Sequence, residues 1–396
     1  MRVALTTESY LPYVSGVTVS VDALARGLGA RGHEVLVIAP RPATGSVPQT
    51  VGSPGPEPGI AWLPSYQLPR LVPPAYRMAW PNPWAGAVRR AARWRPDVVH
   101  AHSPFVTGLL ARHLARASGA PLVFTHHTRF ADYAHYLGPL AGSGSALADA
   151  YIRSFWAGCA AIVAPSSDLA DELRVRLPED RRDRVHVVPT GIDVDGIRAL
   201  DAVDPRDVGG WPSDAVVVAT LGRLAPEKSV DVILQATTVV LERTPSARLL
   251  VIGGGPSESD LRRRAATFGG AVHLTGALPR LEALALLRGA DLFAFASRTE
   301  TQGLVLAEAL AAGLPAVAVE GPGVADSVRD GFDGRIVSAE PDATRAERLG
   351  IALAALVEDQ GLRANLANRA NGDADRFALP KRVAEMEAIY QSAVAG

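Results

Sequence analysis

The chain has 396 residues, 48% of them hydrophobic and 20% charged, with a formal net charge of -1. At ~150 residues per domain this length divides into two or three packed domains, and near-neutrality excludes a chain built as a whole to bind nucleic acid or another polyanion. Cys159 is the only cysteine, which excludes an intramolecular disulfide and a cysteine-based metal cluster.

The opening MRVALTTESY has too short an apolar stretch for a signal peptide. No run approaches 18 apolar residues, so no transmembrane helix is expected. A cytoplasmic protein is expected, with any membrane contact peripheral and on the inner face.

Residues 3–7 form an apolar strand followed by a loop with Pro12 and Gly16. Val17, Val21, Leu24 and Leu28 then recur at helical spacing. Gly32 stands where a helix C-cap belongs, and residues 35–39 are a second strand. Strand, loop, helix and strand make a βαβ unit with parallel, buried strands. Residues 42–59, rich in Pro, Gly and Ser, predict an irregular surface excursion. Further strands are predicted at 98–101, 122–125, 161–164 and 186–188, with helices between them. A second series has strands at 215–222, 248–252, 272–274, 292–296 and 316–319. Helices at 229–242, 257–267, 280–289, 303–312, 343–357 and 360–371 alternate with these. Two doubly wound α/β domains follow from that order. The Pro-, Gly- and Asp-rich stretch 202–213 is expected to link them, giving domains 1–201 and 202–377.

Ligands of parallel sheets bind beyond the C-terminal strand ends, so the loops there carry the chemistry. In the first, Glu8 to Gly16, a glycine lets the backbone approach a ligand and the next helix offers free N–H groups to an anion. A plain βα turn would look the same, and a GxGxxG fingerprint is absent. In Gly222-Arg223-Leu224-Ala225-Pro226-Glu227-Lys228, a guanidinium and an ammonium suit a diphosphate whose charge grows as it leaves. Only Lys228 and Lys381 among the 40 basic residues are lysine, so a compact point charge is wanted at 228. The plainer alternative, a solvated basic helix start, is unfavourable with the helix dipole unless an anion is present.

In Glu300-Thr-Gln-Gly-Leu-Val-Leu-Ala-Glu308, eight residues separate two acids, a rise of ~12 Å if helical. That is about the reach from sugar to ribose in a sugar nucleotide, with the diphosphate at the helix start near Gly303. Glu308 lies among Leu304, Leu306, Ala307 and Leu310, and a buried acid needs a partner. Ribose hydroxyls or an intra-protein ion pair would both serve. After the strand LVF come Thr125, His126, His127, Thr128 and Arg129. One histidine is expected to face the cleft, His127 being favoured; a hydrogen-bonded structural role is the alternative. With no third ligand nearby, zinc is not expected. Tyr133, His135 and Tyr136 follow as candidates for the acceptor side. Gly253-Gly254-Gly255-Pro256 reads only as a tight βα turn. Residues 76–95 interleave Arg77, Arg89, Arg90, Arg93 and Arg95 with Trp80, Trp84 and Trp94, which suits an anionic membrane surface. An ordinary solvated helix with its tryptophans packed on its own domain is the alternative.

The segments GRLAPEKSVD, SRTETQGLVLAEALAAGLPAVAV and GVADSVRDGFDG resemble the C-terminal half of glycosyltransferase family 4. TTESYLPYVSGVTVSVDALARGLGARGHEVLVIAP resembles its N-terminal half, so the resemblance covers nearly the whole chain. It implies the GT-B fold, an α/β architecture of two Rossmann-like parallel-sheet domains facing each other across a cleft. It also implies a retaining hexosyl transfer from a nucleotide sugar, with no metal and no tightly bound cofactor. By position, Arg223 and Lys228 would hold the diphosphate, Glu308 the ribose and Glu300 the donor sugar, with Gly303 and Leu304 at the donor-binding helix start. Gly16 would lie against the phosphates, and His127 would contact the sugar or place its backbone near the reacting carbon. The last helix, in 378–396, would cross back to the N-terminal domain.

Within the family, FTHHTRFADYAHYLGP and TETQGLVLAEAL resemble the diacylglycerol glucosyltransferases. That implies UDP-glucose as donor, a membrane lipid such as diacylglycerol as acceptor, and an anionic membrane as partner through Arg77, Trp80, Trp84, Arg89, Arg90 and Arg93. The alternatives are a GDP-mannose-dependent mannosyltransferase acting on a glycolipid, a transferase with a soluble acceptor, a nucleotide-sugar-binding protein without turnover, and a hydrolysing epimerase. Paired acids beside a diphosphate argue against mere binding. The sequence departs from the family pattern at Ser229, where glycine often follows the lysine, and at His126, an added histidine.

Overall fold

The structure is a computed structural model that describes residues 1–43, 52–67 and 76–127, the backbone of 141–148, and all of 149–396. Contacts divide the chain into two compact units, Met1–Ile192 with Leu379–Gly396, and Asp193–Ala378.

The strands of the first unit are β1 Arg2–Thr6, β2 Glu34–Pro40, β3 Gly59–Leu63, β4 Ser65–Tyr66, β5 Met78–Ala79, β6 Val98–Ala101, β7 Leu122–Thr125, β8 Ala161–Ala164 and β9 Val185–Val187. Seven of them form a parallel sheet in the order β3-β2-β1-β6-β7-β8-β9, and β4 and β5 make a small antiparallel pair. Its helices are α1 Gly16–Ala30, α2 Gly86–Trp94, α3 Val106–Ser118, α4 Ala141–Ala157 and α5 Ser167–Arg176. The second unit adds α6 Val194–Ala199, α7 Pro205–Gly209, α8 Val230–Arg243, α9 Glu258–Ala265, α10 Arg280–Arg288, α11 Leu304–Ala311, α12 Val324–Ser327, α13 Arg345–Glu358 and α14 Gln360–Asp373. Its strands are β10 Val217–Leu221, β11 Arg248–Ile252, β12 Val272–Leu274, β13 Leu292–Phe295, β14 Ala316–Val319 and β15 Gly334–Val337. They form a parallel sheet in the order β12-β11-β10-β13-β14-β15. The last helix, α15 Leu379–Ala395, belongs to the first unit.

Both sheets reverse their strand order once, between β1 and β6 and between β10 and β13. At such a switch point the connections leave in opposite directions and open a crevice beyond the strand ends, where ligands of parallel sheets bind. The central strands are buried on both faces, as helices on each side require: Val98, Val99, Val163, Val217, Leu292 and Val317 are all inaccessible to solvent.

The structure departs from the sequence reading at two points. The excursion predicted over 42–59 is followed by an unexpected strand, β3, which pairs in parallel with β2 and extends the sheet; GIAWL carries too little β-branched signal to announce itself as an edge strand. The boundary between units falls at Ile192, earlier than the linker expected at 202–213. The intervening residues pack on the second unit: Arg288 donates to the carbonyls of Ile197 and Leu200, and Val203 donates to Ala285. Arg206 reaches Asp291 at 2.5 Å, so the Pro- and Gly-rich stretch is a docked turn, not a tether.

α15 covers one face of the first sheet with Val383, Met386, Ile389 and Tyr390. The Tyr390 hydroxyl lies 2.6 Å from His100 Nδ1, and His100 Nε2 lies 2.7 Å from Thr125 Oγ1. All three residues are buried, so the histidine spends both ring nitrogens on satisfied contacts. Tyr390→Phe strands one of them and is expected to lower unfolding stability by about 1–3 kcal/mol. A urea midpoint equal to that of the unaltered protein would show that the contact contributes nothing.

Candidate active site

In the second unit, the loops after β10 and β13 flank the switch point and carry most of the candidate residues. The first is held by its neighbour. Gly222 donates to Ile252 at 3.0 Å, Leu224 donates to Gly254 at 3.0 Å, and Ser257 donates to Leu224 at 2.9 Å. The Gly253–Gly255 run is therefore a docking strip for the Gly222–Lys228 loop. A Cβ at Gly253 would stand 1.9 Å from the Gly222 carbonyl oxygen, and its φ of +136° lies where side chains rarely go.

Pro226–Lys228 is a single 3-10 turn whose Glu227 carbonyl accepts from Ser297 Oγ at 3.2 Å and from the Arg298 N–H at 3.3 Å. This brings the end of β13 to the lysine, and Lys228 Nζ forms an ion pair with Glu300 Oε1. Ser229 follows at φ +50°, the left-handed region, which gives the physical reason for a glycine at this position. Arg223 is exposed, and its guanidinium has no partner among the described residues.

Gly303, at φ +70°, caps the N-terminus of α11 without a side-chain bond, so the N–H groups of Leu304 and Val305 face outward from the helix start. Because α11 begins at Leu304, only its first turn separates the helix start from Glu308. The helical rise over that turn is ~6 Å, and Glu300 lies in the loop before it, outside the helix. Glu308 is 1% exposed, and its Oε1 pairs with Arg280 at the start of α10. Its Oε2 has no hydrogen-bond partner among the described residues. Arg280 escapes sequence reasoning, since one more arginine in an arginine-rich chain carries no signal.

In the first unit, the loop after β1 places Ser15 as N-cap of α1, accepting from the Thr18 N–H at 3.2 Å. Gly16 opens that helix, and a Cβ there would meet nothing within 4 Å. Glu8 lies in the same loop and accepts from the Thr107 N–H at 2.9 Å, so it caps α3; burial raises its pKa despite those bonds.

The two adjacent histidines separate cleanly. His126 is buried edge-on against Phe124 and Trp156, and its N–H donates to Val163. His127 turns the other way and lies 2.8 Å from His102 Nδ1, with the two rings stacked. Burial lowers all three pKa values of this group: His100 to about 3, His127, which keeps some solvent contact, to about 4, and His102 well below the ordinary value. At neutral pH the group is an uncharged chain of hydrogen bonds. Tyr133, His135 and Tyr136, with Thr128 and Arg129, lie outside the described residues.

Cys159 is buried and its thiol is pushed up to about 12, so it is no nucleophile. Among the described residues no group of three His, Cys, Asp or Glu could hold a metal ion, and no helix is long and apolar enough to cross a membrane. The basic and aromatic segment divides. Trp94 packs on the core, whereas Trp80 and Trp84 are 55% and 72% exposed. Arg89, Arg90 and Arg93 lie exposed on α2, and Arg77 is held by Ser65.

The profile described as Glycosyltransferase Family 4 matches residues 14–195, and that described as Glycosyl transferases group 1 matches residues 204–373. The alpha-monoglucosyldiacylglycerol synthase of Acholeplasma laidlawii is 30% identical over 337 residues, covering 80% of each chain. The chain belongs to glycosyltransferase family 4. A GDP-mannose-dependent alpha-mannosyltransferase of Mycolicibacterium smegmatis is 33% identical over 330 residues, 83% of this chain and 82% of its own. Among solved structures, Anabaena HepE in complex with UDP and glucose superposes with a TM-score of 0.72, at 16% identity, over 99% of this chain and 100% of its own. The fold of this glycosyltransferase is GT-B, with two Rossmann-like parallel sheets.

The histidine group makes a pH prediction. A histidine with a lowered folded pKa binds its proton more readily when unfolded, so stability is full above ~6.5 and falls as the pH drops toward 4. His127→Asn is expected to flatten part of that slope between pH 6.5 and 4.5 in urea titrations. An unchanged slope would mean that His127 does not titrate against folding.

Proposed function

We propose that this glycosyltransferase moves a glucosyl group from UDP-glucose to diacylglycerol with retention of configuration. The observation that carries the donor side is the meeting of Lys228, Glu300 and the α11 N-terminus at one switch point. A nucleotide sugar has the matching order of groups: sugar hydroxyls for Glu300, a diphosphate for Lys228, Arg223 and the free N–H groups of Leu304 and Val305 beside Gly303, and ribose for Glu308. The Arg280–Glu308 pair does not compete with that role. It gives the buried carboxylate a partner through Oε1 and leaves Oε2 to accept from a ribose hydroxyl. Gly16 opens α1 with space beside it among the described residues, which is compatible with the phosphate contact that the family resemblance implies.

In the transfer, the bond from the anomeric carbon to the diphosphate breaks and the acceptor hydroxyl oxygen attacks from the same face. Its proton passes to a departing phosphate oxygen. Charge grows on the diphosphate, where Lys228 and Arg223 meet it. The acceptor hydroxyl is neutral, as is the histidine group around His127, whose place would be beside the sugar. No metal is needed for this division of labour. The acceptor rests on the activity for which the Acholeplasma relative is named and on the exposed Trp80 and Trp84 beside Arg89, Arg90 and Arg93, which suit an anionic membrane surface. The 33% identical mannosyltransferase supports a second reading, transfer of mannose from GDP-mannose to a glycolipid.

The deciding experiment is a panel of UDP-glucose, UDP-galactose, UDP-N-acetylglucosamine and GDP-mannose with diacylglycerol in mixed micelles, read by nucleoside diphosphate release and lipid mass. UDP-glucose is expected to give an α-glucosyl diacylglycerol. Transfer from GDP-mannose alone would favour the second reading, and diphosphate release with unchanged lipid would reject diacylglycerol as acceptor. Lys228→Ala is expected to lower kcat by about 10²–10³ with the circular dichroism unchanged, and Glu308→Ala to raise the donor KM. Unaltered rates in both variants would remove this donor site.

A further inference from the structure

A second site lies wholly within the first unit, at the edge of its sheet. Arg41, Pro42, Trp62, Pro64, Ser65, Arg77, the first residues of α2 and Arg90 line a cavity of about 590 Å³. That is within the range of small-ligand sites. Three guanidinium groups share it, and no acidic residue is among the described residues lining it. Guanidinium groups repel one another, and this grouping gains nothing from within the protein. Arg41 and Arg90 have no side-chain partner among the described residues. Arg77 is held in place: its Nε donates to Ser65 Oγ at 2.8 Å and a terminal nitrogen donates to the Ser65 carbonyl at 3.0 Å. Ser65 in turn donates to the Arg41 carbonyl at 2.6 Å, so one serine fixes two of the three arginine positions.

The start of α2 adds to the positive field. Its N-cap, Ala85, has no side chain to accept a bond, and Gly86 and Ala87 at the cavity wall bring free N–H groups. The wall is otherwise apolar, with Trp62 and two prolines. Trp80, exposed and packed at a tilt against Tyr66, and Trp84 flank it in sequence between Arg77 and Gly86. Amphipathic tryptophans suit the headgroup level of a bilayer.

The geometry points to a headgroup site: the Arg41–Arg77–Arg90 cavity binds the phosphate of an anionic glycerophospholipid while Trp80 and Trp84 rest in the interface. This rests on the membrane-acceptor reading above and deepens it. The lipid held here is not the acceptor, because a phosphodiester fixed by three arginines is a docking group, and diacylglycerol carries no phosphate. Docking therefore depends on phosphate geometry, not only on net charge. Arginine binds a phosphate through a planar fork that lysine lacks.

The test compares binding of the full-length protein to vesicles of phosphatidylcholine with 30% phosphatidylglycerol, by sedimentation at fixed salt. Arg41→Ala/Arg90→Ala is expected to weaken binding at least tenfold. Arg89→Ala/Arg93→Ala removes the same charge from α2 outside the cavity and is expected to weaken it less than threefold. Arg41→Lys/Arg90→Lys keeps the charge and is expected to bind more like the alanine pair than like the unaltered protein. Equal losses in the two alanine pairs, or full binding by the lysine pair, would overturn the site in favour of diffuse attraction. Displacement from vesicles by millimolar inorganic phosphate at constant ionic strength would overturn the lipid as its source. Binding needs neither donor nor turnover, so a failed cavity with intact transfer to diacylglycerol remains distinct from a failed acceptor reading.

Discussion

The second unit depends on a carbonyl oxygen lying where a side chain would otherwise be. The Gly222 oxygen leaves no room for a Cβ at Gly253, so the loops after β10 and β11 meet backbone to backbone. Paired N–H donors from Leu224 and Ser257 then fix the Gly222–Lys228 loop on one side. The Glu227 carbonyl fixes it on the other by accepting from Ser297 and Arg298 at the end of β13. Lys228 is placed by neighbours on both sides and not by the helix that follows it. The left-handed Ser229 between them is the local strain this placement costs, on the order of 1–2 kcal/mol.

The two units treat charge in opposite ways. The second buries a carboxylate and meets it with a cation, as in Arg280–Glu308, and joins Lys228 to Glu300 close by. A low-dielectric site makes such pairs necessary, since either charge left alone would be costly to keep. The first unit instead holds His100, His102 and His127 neutral by burial, with His100 bonded to Thr125 and Tyr390 and His102 to His127. The proposed transfer asks for this asymmetry, because the leaving diphosphate gains charge while the attacking hydroxyl has none to give until it loses its proton.

The alternation of strands and helices was legible because both sheets are parallel and doubly covered, which turns each strand into an apolar run. Residues 98–101, 122–125, 161–164, 248–252, 272–274 and 316–319 stand as strands with the predicted ends. The edge strand β3 was not legible, since Ile60 is its one β-branched residue and a Pro-, Gly- and Ser-rich stretch precedes it. The two acids and Lys228 were legible for a different reason: each is chemically costly where it stands, an acid in an apolar helix or a lysine in a chain that otherwise uses arginine. What the sequence hid was the supporting partners. Arg280, His102 and Ser297 are ordinary residues brought to the site by topology, and the glycine strip at Gly253 to Gly255 reveals its purpose only beside Gly222.

The same blindness applies to arginine generally. With nearly every basic residue an arginine, neither charge nor residue type separates a structural cation from a binding one. Partners do. Arg329 and Arg376 both turn onto the fully buried Asp333, and Arg206 is bound to Asp291, so their charges are neutralised within the fold. Arg223 at the donor loop and Arg41 and Arg90 at the sheet edge have no such counter-charge among the described residues. A cation without a partner, held at a cavity wall or a strand end by backbone bonds, retains its full attraction for an anion arriving from outside. By that criterion two places among the described residues invite phosphate chemistry, and the one after β10 lies at a switch point, where a reaction can follow.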